Sequence, residues 1–403
     1  MAEEPAAEGQ LHRPHVREAG NRPHRRAGRM TPTPDITTGP GFAPRQARGA
    51  VVVCSDANWL WQSAFVLQQA IDSDPEGLLD YYYYLDCDIT DLPLRHLVDP
   101  RVKVVNAGPD LAAIDVTKSR HVPKATFLRF LALEALSKTH DRVAYLDGDL
   151  YLSWGSWTEL FSLPPGENAV AAVAARPVWF NNPRFRYGRR YRKALCEAMG
   201  DRYLNAGMLL IHSTRYQAQE ISQRSLQFYA DHPDLCGQGD QSALNAVLAG
   251  NWDELSPSWN WQVSSFNYPI LADLNPRVVH FTGPIKPWND ANAFFRHAFD
   301  DMAGFLAKHG ATELLAELTN RLQPVAQISP RRARFIAEWT GDAAQKFRRI
   351  STYLARRDFL DAAVGLQPFG EAKSGFGLAS IPASPATEAA ANSEIPGAAG
   401  LSE

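Results

Sequence analysis

Apolar positions along this chain switch period several times, and each switch marks an element. Ala50-Val51-Val52-Val53-Cys54 is an unbroken apolar run, the pattern of a strand buried on both faces. Trp59 to Ile71 then carries apolar residues at helical spacing. Tyr81-Tyr82-Tyr83-Tyr84-Leu85 is aromatic and strand-forming, and Arg101 to Val105 reads as a further strand. Thr126 to Leu136 returns to a helical period. Arg142-Val143-Ala144-Tyr145-Leu146 is a strand that runs into Asp147-Gly148-Asp149. Ala169 to Ala175 is long enough for a strand and no more. Beyond it follow Tyr203 to Ile211 as strand, Gln217 to Tyr229 and Asp240 to Leu248 as helices, and Arg277 to Phe281 as strand. From Ala291 to about Leu366 the pattern is helical, with breaks at Pro324 and Pro330.

Strands alternating with helices predict an α/β fold with a mostly parallel sheet flanked by helices. In such sheets ligands bind beyond the carboxyl ends of the strands, where Asp56 and Asp147 both fall. The expected organisation is a tail over 1–48, a catalytic domain over 49–290, a helical C-terminal region over 291–367 and a second tail over 368–403. Both tails are rich in small, polar or charged residues and Pro. They cannot bury enough apolar surface to offset ordering entropy, so both are expected to be disordered, and Met30 is a candidate start. No internal repeat is visible.

Composition changes this picture little. Of 403 residues, 45% are hydrophobic and 21% charged, an ordinary globular balance. A net charge of −3 offers no global attraction to nucleic acid, which is not expected as a partner. The four cysteines, Cys54, Cys87, Cys196 and Cys236, form no CxxC pair, which argues against a zinc knuckle or redox dithiol; Cys54 reads as core. The N-terminus has no apolar block of the secretory kind, and no stretch reaches the roughly 18 apolar residues of a membrane span. The expected location is cytoplasmic, either free or peripheral on the inner face of the membrane.

The chemistry gathers at strand ends. Asp147 and Asp149 flank Gly148, and hard carboxylate oxygens suit Mg²⁺ or Mn²⁺, which in turn bridge phosphate oxygens. The same residues also fit a solvated acidic turn. A third fit is a phosphatase of the haloacid dehalogenase type with Asp147 as nucleophile, although Leu150-Tyr151 follows where that motif continues to Thr or Val. In Val278-Val279-His280-Phe281-Thr282-Gly283-Pro284-Ile285-Lys286-Pro287-Trp288, a strand delivers His280 and Gly283 permits a turn. Lys286 then returns to the same mouth. An imidazole can complete a site begun by two carboxylates, and a lysine can neutralise a diphosphate.

Taken in order, these segments resemble glycosyltransferase family 8, of the bacterial lipopolysaccharide galactosyl- and glucosyltransferase kind, from about Val51 to Trp288. The resemblance implies a GT-A nucleotide-diphospho-sugar transferase fold with a C-terminal helical appendage, UDP-sugar donors, Mn²⁺ and retention of anomeric configuration. It implies that Asp147, Asp149 and His280 hold the metal, with Lys286 at the diphosphate; Gly148, which removes a side chain where a ligand must approach, and Gly283, in the turn, are candidate donor-binding residues. Ser55-Asp56-Ala57-Asn58-Trp59 is similar to the loop that contacts uracil and ribose, Trp59 standing where Tyr is common. Arg129, in Lys124-Ala125-Thr126-Phe127-Leu128-Arg129, takes the position of an arginine that reaches the metal carboxylates or donor sugar. Asn205, in Asn205-Ala206-Gly207, lines the sugar site, and Asp240-Gln241 sits beside the transferred sugar. Ser242 occupies a place where a further Asp sometimes follows.

Each residue alone also has a plain structural reading: Asn205 as a strand-end turn former, Asp240 as a helix cap, Arg129 as partner of any carboxylate. The expected substrates are a UDP-sugar donor and a glycan or glycolipid acceptor; a non-catalytic UDP-sugar-binding protein is the alternative. Two basic aromatic stretches complete the list. Arg184 to Lys193 reads as a solvated helix face or as a contact for an anionic acceptor or membrane. The run over 331–357, with Arg331, Arg332, Arg334, Lys346, Arg348, Arg349, Arg356 and Arg357, reads as a membrane-surface helix or as a helix packed on the main domain.

Overall fold

The central strand β1 (Gly49–Ser55) is apolar at nearly every position because parallel neighbours flank it and both its faces are covered. A computed structural model describes residues 49–114, 123–179, 202–263, 274–283, 286–289, 296–322, 343–356, 358–366 and 369–370. Among these, seven strands form one sheet in the order β3-β2-β1-β4-β7-β6-β8. The partners of β1 are β2 (Leu79–Leu85), β3 (Val102–Asn106), β4 (Arg142–Leu146), β6 (Val170–Ala174), β7 (Leu204–His212) and β8 (Asp253–Leu255). Pairing is parallel except where β7 runs antiparallel to β4 and β6. The mostly parallel α/β sheet read from the sequence is therefore present, with β7 reversed inside it.

Of a second, three-stranded sheet, in the order β5-β10-β9, only β10 was read, inside the longer segment Arg277 to Phe281; β5 and β9 were not. Its strands are β5 (Leu150–Leu152), β9 (Trp261–Gln262) and β10 (Val278–His280). Segments of two or three residues carry no period to read. This small sheet decides the site. Antiparallel pairing sets His280 opposite Leu150, so the last residue of β10 lands beside the Asp149 that precedes β5. The Phe281 N–H donates to the Asp149 carbonyl at 3.1 Å, which secures the junction.

Helices follow the expected spacing with one correction. Leu60–Asp72 and Asp240–Leu248 form as read, and Leu128–Leu136 follows a short 3₁₀ turn, Lys124–Phe127. The helix expected over Gln217 to Tyr229 is two helices, Ser213–Ala218 and Ile221–Asp231, parted at Glu220 with φ of 50°. Tyr216 and Ile221 are both fully buried. Five residues apart, they would point about 140° from each other on one continuous helix, so the chain breaks to bury both.

Arg296–Lys308, Thr312–Arg321 and Ala343–Leu354 supply the helical C-terminal region. Its described end packs onto the main sheet. Ile350 and Tyr353 are buried, the Tyr353 hydroxyl donates to Glu254, and Arg356 forks onto both Glu254 oxygens at 3.1 Å. The Asp361 carboxylate accepts from the Ser256 N–H at 2.9 Å and the Ser256 hydroxyl at 2.6 Å. Of the run over 331–357, then, Ile350, Tyr353 and Arg356 serve packing. Residues 331–342 and Arg357, and the side chains of Lys346 and Arg348, lie outside what is described, as does the basic stretch 184–193. No helix among the described residues is long and apolar enough to cross a membrane.

Candidate active site

Three elements converge at the carboxyl end of β4. The strand itself delivers Asp147, the turn into β5 delivers Asp149, and β10 delivers His280. One ligating atom from each lies within 4.8 Å of the others. His280 Nε2 is 3.1 Å from Asp149 Oδ1 and 3.7 Å from Asp147 Oδ2. The imidazole is buried, and its Nδ1 sits 2.8 Å from the Asn260 carboxamide oxygen. Burial would raise the Asp149 carboxyl, but His280 and Lys286 hold it well below the usual carboxylate range. Lys286 Nζ lies 2.6 Å from Asp149 Oδ2 and also donates to the Phe281 carbonyl.

Two glycines make this convergence possible. A Cβ on Gly207 would lie 2.1 Å from His280 Cε1 and 2.8 Å from Asp147 Oδ2, so only glycine lets the imidazole reach the carboxylate over β7. A Cβ on Gly148 would lie 2.7 Å from the Ser63 hydroxyl. A close approach at Gly148 is thus made by the helix Leu60–Asp72. Gly283 lies in the bend after His280, and residues 284 and 285 of that loop are outside the described ones.

Arg129 ties the acidic groups together. Its guanidinium donates to Asp147 Oδ1 at 3.1 Å and to the Ala206 carbonyl at 2.7 Å, and it lies over the Tyr145 ring at 4.5 Å. Its Nε is 2.8 Å from Asp240 Oδ2 in an ion pair. The Tyr145 hydroxyl adds a 2.7 Å bond to Asp147 Oδ1. Asp240 is not the cap of its helix. Gly239 holds that position and Asp240 is the first helical residue, with its carboxylate turned to Arg129.

Asp240 is only 4% exposed, and burial pushes its carboxyl up to about 6, Arg129 opposing and Asp147 adding to the rise. A carboxyl raised above its unfolded value favours the folded state while protonated. Its contribution is complete below about pH 4 and is lost as pH climbs through about 6. In metal-free protein, wild type is therefore expected to lose about 2 to 3 kcal/mol relative to Asp240→Asn between those limits. Urea unfolding across the range measures it, and a flat difference would reject the buried ionisable carboxyl.

Asn205 and Gln241 form one hydrogen-bonded unit. The Asn205 amide donates to Gln241 Oε1 at 3.1 Å, the Ala206 N–H donates to the same oxygen at 3.1 Å, and Asn205 Oδ1 accepts from the Gly207 N–H at 3.0 Å. Ser242 is buried, its hydroxyl bonding the Gln238 N–H and Tyr203, so it serves packing there. A cleft of ≈ 250 Å³ runs from the end of β1 to the acidic pair, lined by Asp56, Trp59, Thr126, Arg129, Asp147 and Asp149 among others. Cys54 also lines it, half-buried, where the sequence read core. Trp59 is held edge-on by Trp288 at 5.8 Å. Asp56 accepts from the Asn58 N–H at 2.9 Å, and Asn58 is exposed between the cleft residues Asp56 and Trp59.

The order of these segments matches the description of glycosyl transferase family 8 over residues 52–292, more than half of the chain. The chain belongs to that family. It is 26% identical over 256 residues to lipopolysaccharide 1,3-galactosyltransferase of Salmonella typhimurium, covering 59% of this chain and 72% of that protein. With glycosyltransferase GlyE of Streptococcus pneumoniae it shares 26% identity over 219 residues, 49% of this chain and 48% of the relative, so the match spans about half of GlyE. Among solved structures it is similar to the apo bifunctional glycosyltransferase WbbM, with a TM-score of 0.51 and 19% identity over 70% of this chain and 53% of that one. That likeness concerns the fold, which is the GT-A architecture of the family. The haloacid dehalogenase reading of Asp147 has no place in family 8.

Sequence reasoning missed Asn260, which is fully buried between Trp259 and Trp261 and bonds both His280 and Asn205. Its signal was present, since an amide inside a run of buried tryptophans must have partners.

Proposed function

We propose that this glycosyltransferase moves a hexose from a UDP-sugar, UDP-glucose or UDP-galactose, to a glycan or glycolipid acceptor with retention, in a Mn²⁺-dependent reaction, Mg²⁺ being the other candidate ion. The observation that carries the reading is the approach of Asp147, Asp149 and His280 to within 4.8 Å. Two hard oxygens and one imidazole suit Mn²⁺ better than Mg²⁺, and Gly207 leaves the ring the room it needs. When bound there, the ion would supply positive charge to the departing diphosphate, so no acid is needed to protonate it.

The chain's own residues do the rest. Asp56 and Trp59 receive the base and ribose at the end of β1. Lys286, which lies on Asp149, would supply a second positive charge to the diphosphate. Arg129 keeps Asp147 and Asp240 in fixed relation. Gln241 Oε1 is already occupied, which leaves its amide N–H groups to orient the sugar. With Asp240 committed to Arg129, attack from the front face fits better than a covalent intermediate on that carboxylate. The names of two relatives, a lipopolysaccharide galactosyltransferase and the lipopolysaccharide glucosyltransferase WaaO of Escherichia coli, support a hexose donor. A peripheral membrane contact, if made through 331–357, falls to its basic residues other than Arg356.

UDP release from a panel of UDP-sugars, with Mn²⁺ and with chelator, tests the reading. Release is expected with UDP-glucose or UDP-galactose and is expected to stop with chelator. Full release under chelator rejects the metal, and binding of UDP without release would favour a silent binding protein.

A further inference from the structure

We infer that Asn260 is a positioning residue that fixes which nitrogen of His280 faces the metal, through a hydrogen-bond chain whose direction the backbone dictates. The inference rests on the metal reading above and adds to it a part of the chain far from the acidic motif in sequence.

The argument starts from a donor with no ambiguity. A backbone N–H can only donate, and that of Gly207 points at the Asn205 side chain at 3.0 Å, so the atom there is the carboxamide oxygen. The Ala206 N–H fixes Gln241 in the same way, and the Asn205 NH₂ then donates to Gln241 Oε1. Asn205 Oδ1 also faces the Asn260 side chain at 2.8 Å and must receive a donor, so Asn260 turns its NH₂ that way. That leaves the Asn260 oxygen 2.8 Å from His280 Nδ1, where it can only accept. His280 therefore carries its proton on Nδ1, and Nε2 is the nitrogen presented to Asp147 and Asp149.

The orientation of three amides and one imidazole, each ambiguous alone, follows from one backbone segment, Asn205-Ala206-Gly207. Asn260 is fully buried, so water cannot replace either bond. Its neighbours Trp259 and Trp261 are buried as well, and β9 pairs with β10 at the register of His280. The chain also joins the sugar-side Gln241 to the metal-side His280. Asn205, expected at the sugar, acts in this chain by setting the orientation of Asn260.

The test measures Mn²⁺ affinity of the full chain without donor, by the paramagnetic resonance of the free ion. Asn260→Leu, which cannot accept the Nδ1 proton, is expected to weaken Mn²⁺ binding about 10- to 100-fold. Asn260→Asp restores the acceptor while still losing the bond to Asn205, and is expected to recover much of that loss. Melting temperatures of the metal-free variants accompany each titration. Equal loss in both variants means a merely structural role and overturns the proposal, as does wild-type affinity in Asn260→Leu. Should Asn260→Leu fail to fold, Asn205→Leu decides. It removes the acceptor that fixes the Asn260 amide and is expected to weaken Mn²⁺ binding in the same sense, whereas unchanged affinity overturns the directional chain. Absence of saturable Mn²⁺ binding in wild type itself would instead reject the metal reading, and this inference with it.

Discussion

Asp149→Ala is expected to abolish Mn²⁺-dependent UDP release, by about 10³-fold or more, beyond the effect of deleting one oxyanion donor. Among the described residues, Asp149 is the one carboxylate that touches both His280 and Lys286, at 3.1 and 2.6 Å. On the proposed function, its removal would take a ligand from the metal and the partner from Lys286 together. The fold should survive, because Asp149 follows β4 and none of the central sheet depends on its side chain. Stability gives a second check. The Asp149 carboxyl lies below its unfolded value, so its contribution is complete above about pH 4 and is lost as pH falls toward the lower folded value. The melting difference between wild type and Asp149→Ala should therefore shrink in acid. A variant with wild-type UDP release in the presence of chelator would remove the metal from the mechanism.

How much of this was legible depends on the length of each element. β1, β2 and β4 were readable because four or five apolar or aromatic residues run together between polar ends, and β4 begins and ends where the sequence placed it. The acidic pair could be found because it ends such a strand. His280 was identifiable as a ligand, but the reason it arrives there was not. β10 was read within Arg277 to Phe281, but its partner β5 is three residues, too short to show alternation, and their pairing is visible only in three dimensions. The break at Glu220 follows from two burial demands that a single helix cannot meet, which a window of local spacing cannot register. Asn260 escaped because it belongs to no motif of charged residues, although an amide among buried tryptophans is costly unless bonded. The reading that failed, Asp240 as a cap, was one where the residue type suits two local geometries equally well.

Gly207→Ala tests the geometry more severely than deletion of a ligand, because it leaves every ligand in the chain and only denies them room. The new methyl carbon would stand 2.1 Å from His280 Cε1 and 2.8 Å from both His280 Nδ1 and Asp147 Oδ2. Something must move, and the surroundings resist. The Gly207 carbonyl accepts from the Asp147 N–H at 2.8 Å within the β4–β7 pairing, so the backbone cannot withdraw without opening the central sheet. The imidazole is held by Asn260 on one side and by the β5–β10 register on the other. Overpacking of this kind costs about 1 to 3 kcal/mol, and a ligand displaced by about 1 Å can cost about 10²-fold in rate. We therefore expect a folded, somewhat less stable protein whose Mn²⁺ affinity and UDP release both fall by about two orders of magnitude. Gly148→Ala is the comparison. Its methyl would meet the Ser63 hydroxyl at 2.7 Å, a group that is not a ligand, so it should perturb stability more than Mn²⁺ affinity. If Gly207→Ala binds Mn²⁺ as wild type does, His280 does not lie over β7 beside Asp147, and the three-ligand site is wrong.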